Sequence, residues 1–227
     1  VLFRSIYTQK ITLDGTVHWD NNGLEVCTVT GKQIAPRLTT DNYGGVYIVW
    51  QDERFSPAPE IDIFTQHING DGIISFEADG LPICTLDKTQ SLPIVRPDGI
   101  TGAFVLWQDF RTGSIGIYVQ RVLPDVGIMF EDQGLLLYFG IDGNSINVQS
   151  VYLGNDQNLV YWEDNRFSAN NPAIYAVLVD ENYEDTFETL GSIPTIPLGT
   201  NDFQTNPQIA RVNNHLFMNF ISTDQWD

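Results

Sequence analysis

Short apolar runs separated by turn-forming residues extend along the whole chain, and no stretch sustains the apolar spacing of a helix. Val46 to Gln51 is the strongest run. It is rich in β-branched and aromatic residues and predicts a strand. Pro36 to Leu38 predicts a brief strand before it, ended by Thr39-Thr40-Asp41-Asn42. From Ile61 to Ile68, apolar Ile61 and Ile63 interleave with Asp62 and Thr65, the pattern of a half-buried strand. Leu81 to Thr85 predicts a fourth. Gly, Asp, Asn and Pro lie between the runs, where tight turns need positive φ, fixed φ or local side-chain hydrogen bonds.

This four-strand unit recurs. Trp-x-Asp-x-Arg appears as Trp50, Asp52, Arg54, as Trp107, Asp109, Arg111 and as Trp162, Asp164, Arg166, with steps of 57 and 55 residues between tryptophans. Upstream stands Gln-x-x-Pro, at Gln33 with Pro36, Gln90 with Pro93, and Gln204 with Pro207. The third copy reads as Gln149 with Tyr152 in the proline place. Downstream comes aromatic-x-Gln, at Tyr7 and Gln9, Phe64 and Gln66, and Tyr118 and Gln120, with Tyr175 and Val177 as a degenerate copy. Glycines Gly23, Gly80 and Gly134 then open the last apolar stretch of each copy. Several landmarks share one period, so the unit has been duplicated.

Four antiparallel strands per period is the make-up of a β-propeller blade. A solenoid of strand pairs would repeat over a shorter length, and a two-sheet sandwich is the other all-β reading. The expectation is a single all-β domain over 1–227, with repeats near 6–32 (partial), 33–89, 90–148, 149–203 and 204–227 (partial). The chain enters the repeat in its third strand and stops in the second strand of another copy, where Phe220 takes the tryptophan's place. That is expected of a piece of a longer propeller protein. Alternatively the two half-copies join into one composite blade and close a four-bladed ring.

Charge narrows the partners. Eleven basic and 29 acidic residues leave a net charge of −18. Such a surface does not attract nucleic acid or anionic membranes at long range. No apolar run approaches the ~18 residues of a membrane span, so no membrane insertion is expected. Cys27 and Cys84 occupy equivalent places in successive copies, too far apart for a disulfide, and predict two buried thiols. No metal or cofactor is called for. Asn69-Gly70-Asp71-Gly72 faintly resembles a calcium loop but lacks the later ligands, so a plain turn is expected.

A residue that recurs in every copy is first an architectural one. Trp50, Trp107 and Trp162 suit the wedge between neighbouring blades. Asp52, Asp109 and Asp164 suit turns, with Arg54, Arg111 and Arg166 forking onto the carboxylate or onto a carbonyl of the next blade. The competing reading has Arg54, Arg111 and Arg166 converge on an anionic ligand. No nucleophile–base–acid set stands out, and His18, His67 and His215 are unrelated by spacing. No catalytic residue is named.

Together, Gln-x-x-Pro, apolar-Trp-x-Asp-x-Arg, aromatic-x-Gln and Asp-Gly-aromatic resemble the Trp-Asp-Arg propeller repeats of large secreted or surface-attached bacterial proteins, within the sialidase-like propellers. The likeness covers roughly residues 6 to 226 and weakens after 140. It implies an extracellular or cell-surface location and a non-catalytic binding or scaffold role toward a polysaccharide or a surface protein. The eight-residue Asp-box of sialidases is absent. A sialidase- or glycosidase-like enzyme and a purely structural spacer are the alternative functions.

Overall fold

The computed structural model describes residues 4–55, 60–139, 145–164, 173–180 and 203–223. Every regular element among them is a β-strand, and every strand pair within the sheets is antiparallel. A half-blade of β1 (Ile6–Thr8) and β2 (Leu24–Cys27) comes first. A four-stranded sheet follows, ordered β3 (Gln33–Thr40), β4 (Val46–Asp52), β5 (Asp62–Ile68), β6 (Leu81–Cys84). The next sheet holds β7 (Gln90–Pro97), β8 (Ala103–Asp109), β9 (Gly116–Leu123) and β11 (Leu135–Phe139), with the two-residue β10 (Gly127–Ile128) also on β9. Then come β12 (Ser145–Gly154), β13 (Gln157–Asp164) and β14 (Ala173–Val179), and finally the pair β15 (Phe203–Val212) and β16 (His215–Thr223). The first strands adjoin one another in series, β3 with β7, β7 with β12 and β12 with β15, which makes them the inner strands of a propeller. The described strands of β15–β16 and β1–β2 do not pair, so they form no composite blade closing a ring.

Burial follows from blade stacking. On β4, Tyr47 and Val49 face the following blade with Ala103, Val105 and Trp107, while Ile48 and Trp50 face the preceding half-blade with Ile6 and Val26. Both faces are covered, so β4 is an almost unbroken apolar run. β5 departs from the half-buried expectation for the same reason: all seven of its residues are buried.

The first strand is longer than its sequence pattern indicates. β3 runs from Gln33 to Thr40, and its pairing skips between Ile34 and Arg37. This bulge admits Pro36, whose missing N–H would otherwise break the ladder. The bulged residue has positive φ in every copy: Ala35 at 53°, Leu92 at 53°, Asn147 at 53° and Asn206 at 52°.

The registers correct one assignment. Gln33 pairs with Asp52 and Gln90 with Asp109, but Ser145 pairs with Asp164. Gln149 instead faces Tyr161, where Arg37 faces Val49. The third copy therefore has Ser145 and Val148 in the Gln and Pro places, and its first strand begins four residues before Gln149. Turn length hid this. The β12–β13 hairpin turns on Asn155 and Asp156, whereas the loop from Asp41 to Gly45 joins β3 to β4.

Candidate functional site

Each motif builds one closed node. Trp50 Nε1 donates to Asp52 Oδ2 at 2.8 Å, and Arg54 Nη2 donates to the same oxygen at 2.7 Å. The other oxygen, Oδ1, accepts the Arg54 backbone N–H at 2.9 Å and so shapes the turn. Arg54 Nη2 also reaches the Asp79 carbonyl at 2.7 Å and the Cys27 sulfur at 3.2 Å, and the guanidinium lies 3.9 Å from the Phe64 ring centroid. The second node repeats this atom for atom. Trp107 and Arg111 converge on Asp109 Oδ2 at 2.9 and 2.6 Å, and Arg111 reaches the Gln133 carbonyl, the Cys84 sulfur and the Tyr118 ring. In the third copy Trp162 Nε1 donates to Asp164 Oδ2 at 3.3 Å, and Arg166 lies outside the described residues.

These contacts locate the motif between blades. The carbonyl that each arginine binds belongs to its own blade rather than the next, and the cross-blade partner is the preceding cysteine. Cys27 and Cys84 are free, buried thiols. Burial, the largest cause, pushes them up to about 11 and about 12, so both stay protonated near neutrality. Tyr138 stands where a third cysteine would be and stacks on Trp162 at 5.4 Å. Arg54 and Arg111 are thus engaged inside the protein, and their guanidinium groups do not meet at a shared site.

The glutamine of aromatic-x-Gln has an equally local task. Gln66 Nε2 donates to the Glu77 carbonyl while its Oε1 accepts the N–H of His67 and of Phe76. Gln120 does the same with Glu131, Arg121 and Phe130, and Gln9 with Asp20, Lys10 and Trp19. One side chain ties the end of the third strand to the connection leading to the fourth. Asn69 Oδ1 accepts the N–H of Asp71 and of Ile73, which makes the calcium-like segment a side-chain-closed turn.

Departures from the repeat carry more functional information. One group lies on the inner strands. The motif glutamine, Gln51 and Gln108, becomes Glu163 in the third copy. Glu163 is buried, and its Oε1 accepts Asn147 Nδ2 and the Asn206 backbone N–H, each at 2.6 Å. Asn147 and Asn206 are the exposed bulge residues of adjacent inner strands, where the earlier copies have Ala35 and Leu92. A buried carboxylate and two exposed amides thus replace an amide and two apolar groups. The sequence signal was the Gln-to-Glu change inside the motif, which was passed over because only the flanking Trp, Asp and Arg were followed.

Two further departures lie in the first complete blade. Asp62 faces Asp52 across β4 and β5, where the later blades have Gly116 and Ala173. Burial, then the charges of Asp52 and Glu60, raises it to about 6. His67 is buried on β5, while His18 and His215 are exposed.

No protein-family profile matches the chain, and no curated protein matches it. Among solved structures, an endo-arabinase from Bacteroides thetaiotaomicron superposes with a TM-score of 0.50 at 14% identity, over 84% of this chain and 71% of that one. At that identity the likeness carries the fold, and it agrees with the blade architecture.

Proposed function

We propose that this chain is a non-catalytic, extracellular binding module of a larger secreted or surface protein, with a neutral polysaccharide as its ligand. The observation that carries the reading is the Asn147–Glu163–Asn206 group. It is where the inner strands depart from the repeat, and it places two exposed amides on a buried carboxylate. Amide and carboxylate groups pair naturally with sugar hydroxyls, as donors and acceptors of fixed direction. The repeated tryptophans and arginines are committed to joining blades, which leaves ligand recognition to positions that differ between copies. The net charge of −18 favours a neutral ligand over a polyanion. A solved endo-arabinase with this fold makes arabinan a reasonable first ligand to test.

The test is calorimetric titration of the chain with arabinan and other neutral polysaccharides, alongside Asn206→Ala and Asn147→Ala. Binding that falls at least tenfold in both variants, with unchanged thermal unfolding, supports the reading. Equal affinity in all three proteins rejects the site. Release of reducing sugar by the wild type rejects the non-catalytic role.

A further inference from the structure

At the opposite end of the first complete blade, three side chains form a linear hydrogen-bonded series. His67 Nε2 lies 3.0 Å from Asp41 Oδ2, and His67 Nδ1 lies 2.6 Å from Ser75 Oγ. Asp41 sits in the β3–β4 loop, where its Oδ1 accepts the N–H of Tyr43 at 2.7 Å and of Gly45 at 2.8 Å. His67 is buried against Tyr47, with ring centroids 4.6 Å apart, and Ser75 is exposed in the β5–β6 connection.

The neighbouring copies separate architecture from departure. Asp98 caps its loop through the N–H of Ile100 and Gly102, as Asp41 does. Its partner on the third strand is Arg121, which donates twice to Asp98 Oδ2, at 3.0 and 2.7 Å. In the half-blade the same position is Lys10, which donates to the Gly70 carbonyl. The fold therefore asks for a donor from the third strand here. Lysine and arginine supply one and have no lone pair to offer. Histidine alone supplies a donor on one nitrogen and an acceptor on the other. With Nε2–H directed at Asp41, Nδ1 is the acceptor, and it faces a hydroxyl. In the second blade the Ser75 position is Met129, which has no hydroxyl: Met129 N–H bonds the Arg121 carbonyl just as Ser75 N–H bonds that of His67.

We propose that Ser75, His67 and Asp41 form a nucleophilic relay that accepts an acyl group from an ester at Ser75 Oγ. Oγ attacks the ester carbonyl carbon as its proton passes to His67 Nδ1. The carbonyl–alkoxy bond then breaks, and the departing alkoxide takes that proton from His67. Water releases the acyl group by the same path, restoring Ser75 and yielding a carboxylic acid. Asp41 remains ionised throughout and holds the imidazole in the tautomer that accepts at Nδ1. The relay lies at the other end of the sheet from the inner-strand amides, so either site can fail without the other.

The experiment uses a fluorophosphonate, which phosphonylates activated serines with loss of fluoride. The native chain is treated with it, and modification is followed by peptide mass spectrometry at Ser75 and at exposed Ser5. General-base assistance is worth roughly 100-fold or more, so Ser75 should react at least about 100 times faster than Ser5. His67→Gln should bring Ser75 down to the rate of Ser5. Ser75→Ala should abolish the fast label and any hydrolysis of p-nitrophenyl acetate. The comparison of Ser75 with Ser5 within the folded wild type does not depend on any variant folding. Reaction of Ser75 within threefold of Ser5 overturns the proposal, as does fast labelling that survives in a folded His67→Gln protein.

Discussion

Gly80 lies so close to the Trp50 indole that a Cβ there would overlap the ring, and Gly134 stands in the same relation to Trp107. Both glycines also have positive φ, at 97° and 86°. The Gly80→Ala change should combine backbone strain with a clash at a buried indole and cost about 3 kcal/mol. Gly15 is the control, with φ of 90° and open space beside it, so Gly15→Ala should cost about 1 kcal/mol. Urea unfolding measures both. Equal losses at the two sites would show that the indole contact contributes nothing.

The Trp-x-Asp-x-Arg node should behave as a stabilising unit. Trp107 is fully buried, and Trp107→Ala should cost about 3–5 kcal/mol through the cavity it leaves. Its effect on any ligand should then track the folded fraction. Arg111→Lys keeps the charge but cannot reach the Asp109 carboxylate, the Gln133 carbonyl and the Tyr118 ring together, and should cost about 2 kcal/mol. Thermal unfolding read beside polysaccharide binding checks both. A stable Trp107→Ala protein that no longer binds would make the tryptophan a ligand contact.

Architecture was legible in the sequence because it is written many times. Trp50, Trp107 and Trp162 recur at one spacing, and each does fill the wedge between blades as its repetition implied. Boundaries were less legible where turn length changed. The short β12–β13 hairpin moved Gln149 out of the place that spacing alone gave it. Candidate sites were least legible, because they are assembled from different strands. Asp41, His67 and Ser75 stand 26 and 8 residues apart, and only the pairing of β3, β4 and β5 brings them into line. Glu163 was visible as a change within a motif, but Asn206, its partner from the next blade, is 43 residues away.

The two thiols should be chemically silent in the native state. Cys27 and Cys84 are raised to about 11 and about 12, mainly by burial, so few thiolates exist at pH 8. Iodoacetamide at pH 8 should alkylate neither site in the folded protein and both in denaturant. Because these values lie above the ordinary thiol range, their contribution to stability is complete below about pH 8.5 and falls as pH rises toward 11. Cys27→Ala should flatten that alkaline decline relative to wild type in denaturation curves taken from pH 8 to 11. Rapid native alkylation at Cys27 would show that its burial is wrong.

Asp62 should make the protein more stable in mild acid than at neutrality. Its carboxyl is raised to about 6 by burial and by Asp52 and Glu60, whereas an unfolded aspartate titrates near ~3.9. The folded chain therefore holds a proton that the unfolded chain releases, and the resulting stability is complete below about pH 4 and lost as pH rises through 6. At pH 7 the ionised Asp62 faces Asp52 across the strand pair. Asp62→Asn removes that charge while keeping nearly the same shape. It should raise stability at pH 7 by about 2 kcal/mol and leave stability at pH 4 almost unchanged. Urea unfolding of both proteins between pH 4 and 7 checks the sign, and a variant less stable than wild type at pH 7 would mean that the Asp62 carboxylate is held by a partner that its charge favours.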